Sequence, residues 1–350
     1  MRALAKATTV PGELTMIEVP TPEPGPGEVM IQVLAAGLCG TDLTLYQAPV
    51  QLAAQMGIEF PIVFGHEFAG RISALGAGVG GPALGTLVTA NPHLFCKQCY
   101  YCRTDRPEVC VNRPIVGYNR PGGMAEYVVV RAENVYTLPD SVPPAVAALS
   151  EPLAVGTHMA ARAGVRPGAV PVVLGPGPIG LATAIGCQVA GAERVIVAGL
   201  PEDADRLEVA RRWGMETYYA TDPALGEAVL AASDGLGAEI VFEVAGKAAA
   251  LRQAFQLCRK DGTVFAVGIP ADPVPVDVAM MALNEKRLVG SRGYRPVDWQ
   301  AAASLVAQRT KDLEAMVSAV LPLDQAKLGF EKMIARQGLR QILDPTRVTQ

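Results

Sequence analysis

Residues 171–200, PVVLGPGPIGLATAIGCQVAGAERVIVAGL, constrain the fold more than any other stretch of the chain. A continuous apolar run, Pro171–Leu174, meets a glycine turn. A long apolar helical pattern, Pro178–Ala190, leads into a second apolar run. Uninterrupted apolar strands alternating with helices belong to a parallel sheet covered on both faces. The turn, Gly175-Pro176-Gly177-Pro178-Ile179-Gly180, has G-x-G-x-x-G spacing, which carries little weight alone but much between a strand and a helix. Gly175 permits the tight turn and Gly177 a close approach of the backbone to a pyrophosphate. Gly180 permits close helix–strand packing, and the helix N-terminus favours the phosphate charge. An ordinary tight turn would not require strand, spacing and helix to agree.

A dinucleotide site of this kind usually carries an acid at the end of its second strand, for the adenosine ribose. In RVIVAGLPEDADR that position is Gly199. A missing acid makes room for a 2′-phosphate, while Glu202, Asp203 and Asp205 close behind would repel one unless turned away. Arg206 pairs with a phosphate or simply begins the next helix. NAD and NADP both stay open. Further strand candidates are residues 238–246 and 262–270, and Val267, Gly268 and Ile269 at the end of the second are additional cofactor candidates.

With 350 residues the chain exceeds one hydrophobic core, so two domains are expected. Residues 1–150 break into short strand candidates separated by Gly and Pro, as a β-rich domain does. The texture changes at Ser150-Glu151-Pro152, and near residue 290 the strand–helix alternation ends. The tail, with SRGYRPVDWQ and a helical pattern over Gln300–Gln308, is expected to return to the first domain. Domains are therefore expected at 1–150 with 290–350, and at 151–289. The net charge is −4 with no basic block, which argues against nucleic acid and anionic membranes. No apolar run nears the roughly 20 residues that span a bilayer, and the N-terminus has no signal-peptide pattern. A cytosolic protein with reduced thiols is expected.

Four of the seven cysteines, Cys96, Cys99, Cys102 and Cys110, crowd one polar loop of residues 91–112 as C-x2-C-x2-C-x7-C. In a reducing compartment this reads as a metal site rather than a disulfide framework. Four thiolates complete a tetrahedral zinc shell and leave nothing open for substrate. A redox dithiol or an iron–sulfur cluster suits the pattern less well. A second set is scattered: Cys39 in GLCGTD, His66 and Glu67 in FGHEFAG, and Glu151 in SEPLAV. Each stands where a strand ends or a domain begins, and a catalytic zinc takes three such protein ligands and keeps one position open.

Taken in order, GLCGTD, GHEFAG, the four-cysteine lobe, GGMAEYVVV, SEPLAVGTH and VVLGPGPIGL resemble the zinc-dependent medium-chain dehydrogenases, in particular the sorbitol, threonine and butanediol branch. The resemblance spans essentially the full length. It implies an α/β protein with a GroES-like β-rich catalytic domain, a Rossmann doubly wound parallel-sheet domain, an active site in the cleft between them, and a homodimer or homotetramer. It also implies catalytic zinc on Cys39 and His66, completed by Glu67 and Glu151, of which either acid ligates at rest. Structural zinc falls to the four lobe cysteines, and Thr41 contacts the substrate oxygen. Many relatives carry His three residues after that hydroxyl residue, whereas this chain has Thr44, so the proton relay runs through Thr44, a water or Glu67. His93 matches a threonine dehydrogenase histidine, yet Glu151 and its surroundings lean toward polyol dehydrogenases. His93 is a substrate residue or part of the base of the lobe, and His158 a packed helix-face residue. The loop Gln47–Phe60 is expected to border the cleft. Arg292 and Tyr294 are either substrate contacts or surface.

The implied activity is hydride transfer between NAD or NADP and a secondary alcohol, such as a polyol, sugar, diol or amino alcohol. Two alternatives stand beside it. A zinc-free quinone or enone reductase has no use for the Cys39, His66, Glu67 and Glu151 set. A non-catalytic redox sensor binding nucleotide and zinc would hold one metal per chain instead of two.

Overall fold

The computed structural model describes residues 1–47 and 49–349. The chain divides into two compact units. One is Met1–Glu151 with Arg295–Gln350, and the other is Pro152–Tyr294.

The long strand Glu28–Gly37 organises the first unit. Its early residues alternate, so Val29, Ile31 and Val33 point into the core at 0% exposure, as one face of a half-buried strand should. It pairs antiparallel with Glu67–Leu75 on one side and with Tyr127–Arg131 and Arg340–Asp344 on the other. Leu87–Ala90, Val135–Thr137 and Val317–Pro322 extend the sheet. Phe64, Phe68, Ile72, Val88 and Phe330 pack with the buried face of the long strand. A small antiparallel sheet joins Thr15–Glu18, Arg2–Lys6 and Ile62–Val63. Two registers matter later. Gly37 lies opposite Glu67, and Ile342 lies opposite Gly37. The chain segments around residues 39, 66 and 340 therefore meet at one end of this sheet.

The second unit is a parallel sheet. In spatial order its strands are Glu216–Tyr219, Ile196–Gly199, Val172–Leu174, Ala238–Glu243, Cys258–Ala266 and Arg287–Gly290. Val172, Leu174, Ile196, Val241 and Val264 are at most 2% exposed and share one core. The chain leaves Val172–Leu174 toward one side and returns on the other, so the strand order reverses between that strand and Ala238–Glu243. Ligands of doubly wound sheets bind outside the strand ends at such a switch point.

Several elements differ from the sequence reading. Residues 47–60 are not one loop: Pro49–Met56 is helical, with Ala48 outside the described residues. The segment after Cys39 is a helix, Gly40–Gln47. The strand expected at 262–270 runs over Cys258–Ala266, so Val267, Gly268 and Ile269 lie beyond its end. The tail helix starts earlier, at Pro296. Tyr294 is fully buried rather than at the surface, whereas Arg292 is exposed. No helix among the described residues is long and apolar enough to cross a membrane.

Candidate active site

Cys39 ends the loop after the long strand and caps the helix Gly40–Gln47. The side chain of Asp42 reaches back to accept the Cys39 N–H at 2.9 Å, half of a capping box. His66 and Glu67 arrive on the neighbouring strand, whose register sets Glu67 beside Gly37. Together they give one thiol, one imidazole and one carboxylate whose donor atoms all lie within 4.8 Å of one another. Glu151 stands outside that cluster, in the first turn of the helix Ser150–Arg162 and 7% exposed.

Three residues that the sequence reading missed complete the surroundings. Asp42 is fully buried, with its carboxylate 3.6 Å from His66 Nδ1. It orients the ring as outer partners of metal-binding histidines do. Tyr118 stacks at a tilt on the His66 ring, with centroids 4.7 Å apart and its hydroxyl 3.4 Å from Nε2. The nearby Thr41 side chain partly offsets the burial that lifts the Tyr118 phenol. Arg340, 3% exposed, sets Nη2 2.9 Å from Glu67 Oε1 and donates to the Leu38 carbonyl at 2.8 Å. Only Asp42 had a sequence signal, as the third helical residue after a cap. Arg340 and Tyr118 join the site through long-range pairing.

The electrostatics call for a cation. Burial works against a charged imidazole at His66, yet Asp42 and Cys39 outweigh it and raise its pKa well above the usual value. Burial lifts the Tyr118 phenol, and the charges of Asp42 and Cys39 lift it further. One thiol and three carboxyl groups, those of Cys39, Asp42, Glu67 and Glu151, gather here, and the Arg340 guanidinium lies against one of them, Glu67. Glu67 Oε2 is buried without a hydrogen-bond partner. A thiolate, an imidazole and a carboxylate at this spacing fit zinc.

Thr44 does not face this cluster with a free hydroxyl, since it donates to the Gly40 carbonyl at 3.0 Å. His93 is buried, its N–H bonded to Asn91 and its ring edge-on to Phe95. His158 is 3% exposed on the helix Ser150–Arg162.

The lobe cysteines form a second group. Their four sulfurs lie within 4.8 Å of one another, with Cys96–Cys110 at 3.4 Å and both Cys96–Cys102 and Cys99–Cys110 at 3.9 Å. None is disulfide-bonded. Lys97 takes the left-handed conformation, φ 61°, and this turns the backbone N–H groups of Gln98 and Cys99 toward Cys96 and lowers its pKa. N–H groups of Cys102 and Val111 hold Cys99 at about 6, whereas loss of water pushes Cys102 up to about 12. Thiols so close cannot all ionise without a cation between them, and the amides are already arranged for thiolates. Zinc fits this closed shell too. We expect Cys99→Ser to lower the zinc content from two per chain to one. Proteolysis should then become faster within residues 97–110, while cleavage elsewhere is little changed.

In the second unit Gly175 has φ 110°, and a Cβ on Gly180 would lie 1.8 Å from the Gly175 carbonyl oxygen. Only glycine permits that approach. A Cβ on Gly177 would meet nothing within 4 Å, so the turn leaves open space there. The helix Pro178–Val189 starts at Gly177 with no side chain capping its amides. The turn, the open space and the uncapped amides fit a dinucleotide pyrophosphate. Gly268 crowds Gly246, and Ile269 is 90% exposed. Gly199 closes the second strand, and Arg206 lies in the helix Ala204–Arg212 with Nη1 3.5 Å from Asp203.

Residues 25–140 match the family model of the alcohol dehydrogenase GroES-like domain, and residues 178–308 match that of the zinc-binding dehydrogenases. A sorbitol dehydrogenase of Halalkalibacterium halodurans is 34% identical, covering 99% of both chains. The chain is a zinc-dependent medium-chain dehydrogenase. The L-threonine 3-dehydrogenase of Bacillus subtilis is 33% identical over 99% of each chain. Among solved structures, the NADP-bound form of a Sinorhizobium meliloti protein described as a zinc-binding dehydrogenase has a TM-score of 0.86. It is 30% identical, over 98% of this chain and 99% of that one. The first unit of this dehydrogenase is thus GroES-like and the second a Rossmann unit. The enzyme is a zinc- and NAD(P)-dependent oxidoreductase.

Proposed function

We propose that this dehydrogenase interconverts a secondary alcohol (a polyol, sugar, diol or amino alcohol) and its ketone at the Cys39, His66 and Glu67 set. The observation that carries this is the mixed sulfur, nitrogen and oxygen donor set, separate from the closed four-sulfur shell. Three donors leave a tetrahedral ion one position for substrate, whereas four thiolates leave none. Relatives named for sorbitol, threonine and D-arabitol-phosphate act on compounds that carry secondary hydroxyls.

Zinc held there would supply Lewis-acid activation of a hydroxyl, and NAD(P) would supply the hydride acceptor. Cys39 and His66 hold the metal, with Glu67 as the carboxylate donor in this arrangement and Glu151 the nearby second acid. Asp42 keeps His66 Nε2 turned away from the helix. Thr41 hydrogen-bonds the substrate oxygen, where the exit of its proton begins. Thr44 is engaged by the Gly40 carbonyl. Gly175, Gly177, Pro178, Ile179 and Gly180 receive the pyrophosphate, with Gly199, Arg206, Val267, Gly268 and Ile269 lining the rest of the cofactor. Cys96, Cys99, Cys102 and Cys110 staple the lobe. In the cell the enzyme is a cytoplasmic homodimer or homotetramer, which its mass in solution distinguishes.

The test is a panel of polyols, sugars, diols and threonine with NAD and NADP, read by absorbance of the reduced cofactor, beside a zinc count. Two zinc ions per chain and turnover of at least one secondary alcohol are expected. One zinc and no reduced cofactor with any member would favour a non-catalytic nucleotide-binding role.

A further inference from the structure

We propose that Tyr118 is a further catalytic residue, its phenol donating a hydrogen bond to the same substrate oxygen that Thr41 contacts. The inference rests on the dehydrogenase reading above and concerns the first unit alone.

Tyr118 stands in a turn that its surroundings fix. Val116 bridges Arg120, and the Gly117 N–H donates to the Arg120 carbonyl at 2.8 Å. The Asn119 side chain accepts the Ile115 N–H at 3.2 Å and donates to the Met56 and Gly57 carbonyls at 3.1 and 2.8 Å. Gly117 has φ 96°, and a Cβ there would lie 2.7 Å from the Gly65 carbonyl oxygen and 3.0 Å from the His66 backbone nitrogen. The turn therefore packs directly on the backbone that carries His66. A functional side chain needs such support to keep one position.

The phenol reaches the ligand side of the imidazole. His66 turns Nδ1 toward Asp42, at 3.6 Å, and Nε2 toward Glu67, at 4.0 Å. Nε2 thus lies on the side of the carboxylate donor, and the Tyr118 hydroxyl is 3.4 Å from it. A ring nitrogen that ligates a metal has neither a proton to give nor a lone pair to accept one. In the loaded site the phenol needs a different acceptor. Tyr118 is 3% exposed, so bulk water does not provide one, and a buried hydroxyl left without an acceptor is costly. The Thr41 side chain lies near the phenol. An oxygen bonded by Thr41 is therefore within the reach of Tyr118, and an alkoxide oxygen has lone pairs enough for the metal and both hydroxyls. A donor aimed at that oxygen gains strength as negative charge develops there.

Tyr118→Phe removes the hydroxyl alone and keeps the ring on His66, where the centroids are 4.7 Å apart. The best alcohol of the panel is followed in turnover with oxidised cofactor. It is also titrated by calorimetry into zinc-loaded enzyme saturated with reduced cofactor, where it binds and cannot react. We expect Tyr118→Phe to lower kcat/KM by about tenfold to a hundredfold, the scale of one hydrogen bond to a charged group. In the unreactive complex no charge develops, and the alcohol should bind only about threefold more weakly. Zinc should stay at two ions per chain, with the affinity for reduced cofactor unchanged. A residue serving only the fold or the ligand set would lower the melting temperature or the zinc content and weaken both readouts in step. Equal losses in the two readouts, a lost zinc ion or an unchanged kcat/KM overturns the proposal. A parent enzyme that turns over no alcohol overturns it together with the dehydrogenase reading.

Discussion

Cys39→Ala is expected to lower kcat by about a thousandfold or more while zinc content falls from two ions per chain to one. A metal acting as a Lewis acid contributes several kcal/mol to the transition state, and each ~1.4 kcal/mol is tenfold in rate. Cys39 supplies the sole sulfur of the mixed set, and alanine offers no donor in its place. The dinucleotide turn belongs to the other unit, so the affinity for reduced cofactor should change by less than about threefold. That split between lost turnover and kept binding separates a metal ligand from a residue needed for folding. A Cys39→Ala enzyme with one zinc and near-normal turnover would place the chemistry elsewhere. Cys99→Ser is the matched control, since it also removes one zinc but from a shell with no open position.

The difference between these two sites was legible in the sequence for a physical reason. Four cysteines within fifteen residues can wrap an ion with one loop, so spacing alone displays Cys96, Cys99, Cys102 and Cys110. The mixed set is legible only as motifs, because Cys39 and His66 come together through the pairing of Gly37 with Glu67. Arg340 gave no signal. It lies 302 residues from the carbonyl it bonds, and its neighbours in LRQILDP read as one more strand. Tyr118 sits in a turn-rich stretch whose pattern reports Gly and Pro rather than the tyrosine. The helix Pro49–Met56 gives no clear signal in the sequence, because its eight residues are too few for periodicity to stand out beside Gly57 and Pro61. The strand that stops at Ala266 reads as longer in the sequence because apolar character continues through Val267 and Ile269 after the pairing stops.

The buried pair Arg340–Glu67 carries the second large effect. Both side chains are at most 3% exposed, with Nη2 and Oε1 2.9 Å apart. Removing one partner of a buried pair leaves the other charge in a low-dielectric surrounding and costs about 3–5 kcal/mol. Arg340→Met also leaves the Leu38 carbonyl without its donor. In zinc-depleted enzyme we expect Arg340→Met to lower the melting temperature by about 10 °C, at ~2–4 °C per kcal/mol for a unit of this size. Adding Glu67→Gln should recover part of the loss, because the uncompensated charge is then gone. The same comparison in zinc-loaded enzyme distinguishes the two acids. If Glu67 holds the ion, the metal balances its charge and the cost of Arg340→Met shrinks. If Glu151 holds it, Glu67 still depends on Arg340 and the cost stays near its zinc-depleted value. A melting temperature unmoved by Arg340→Met in either state would show that the guanidinium does not hold Glu67, and that this carboxylate is balanced from another side.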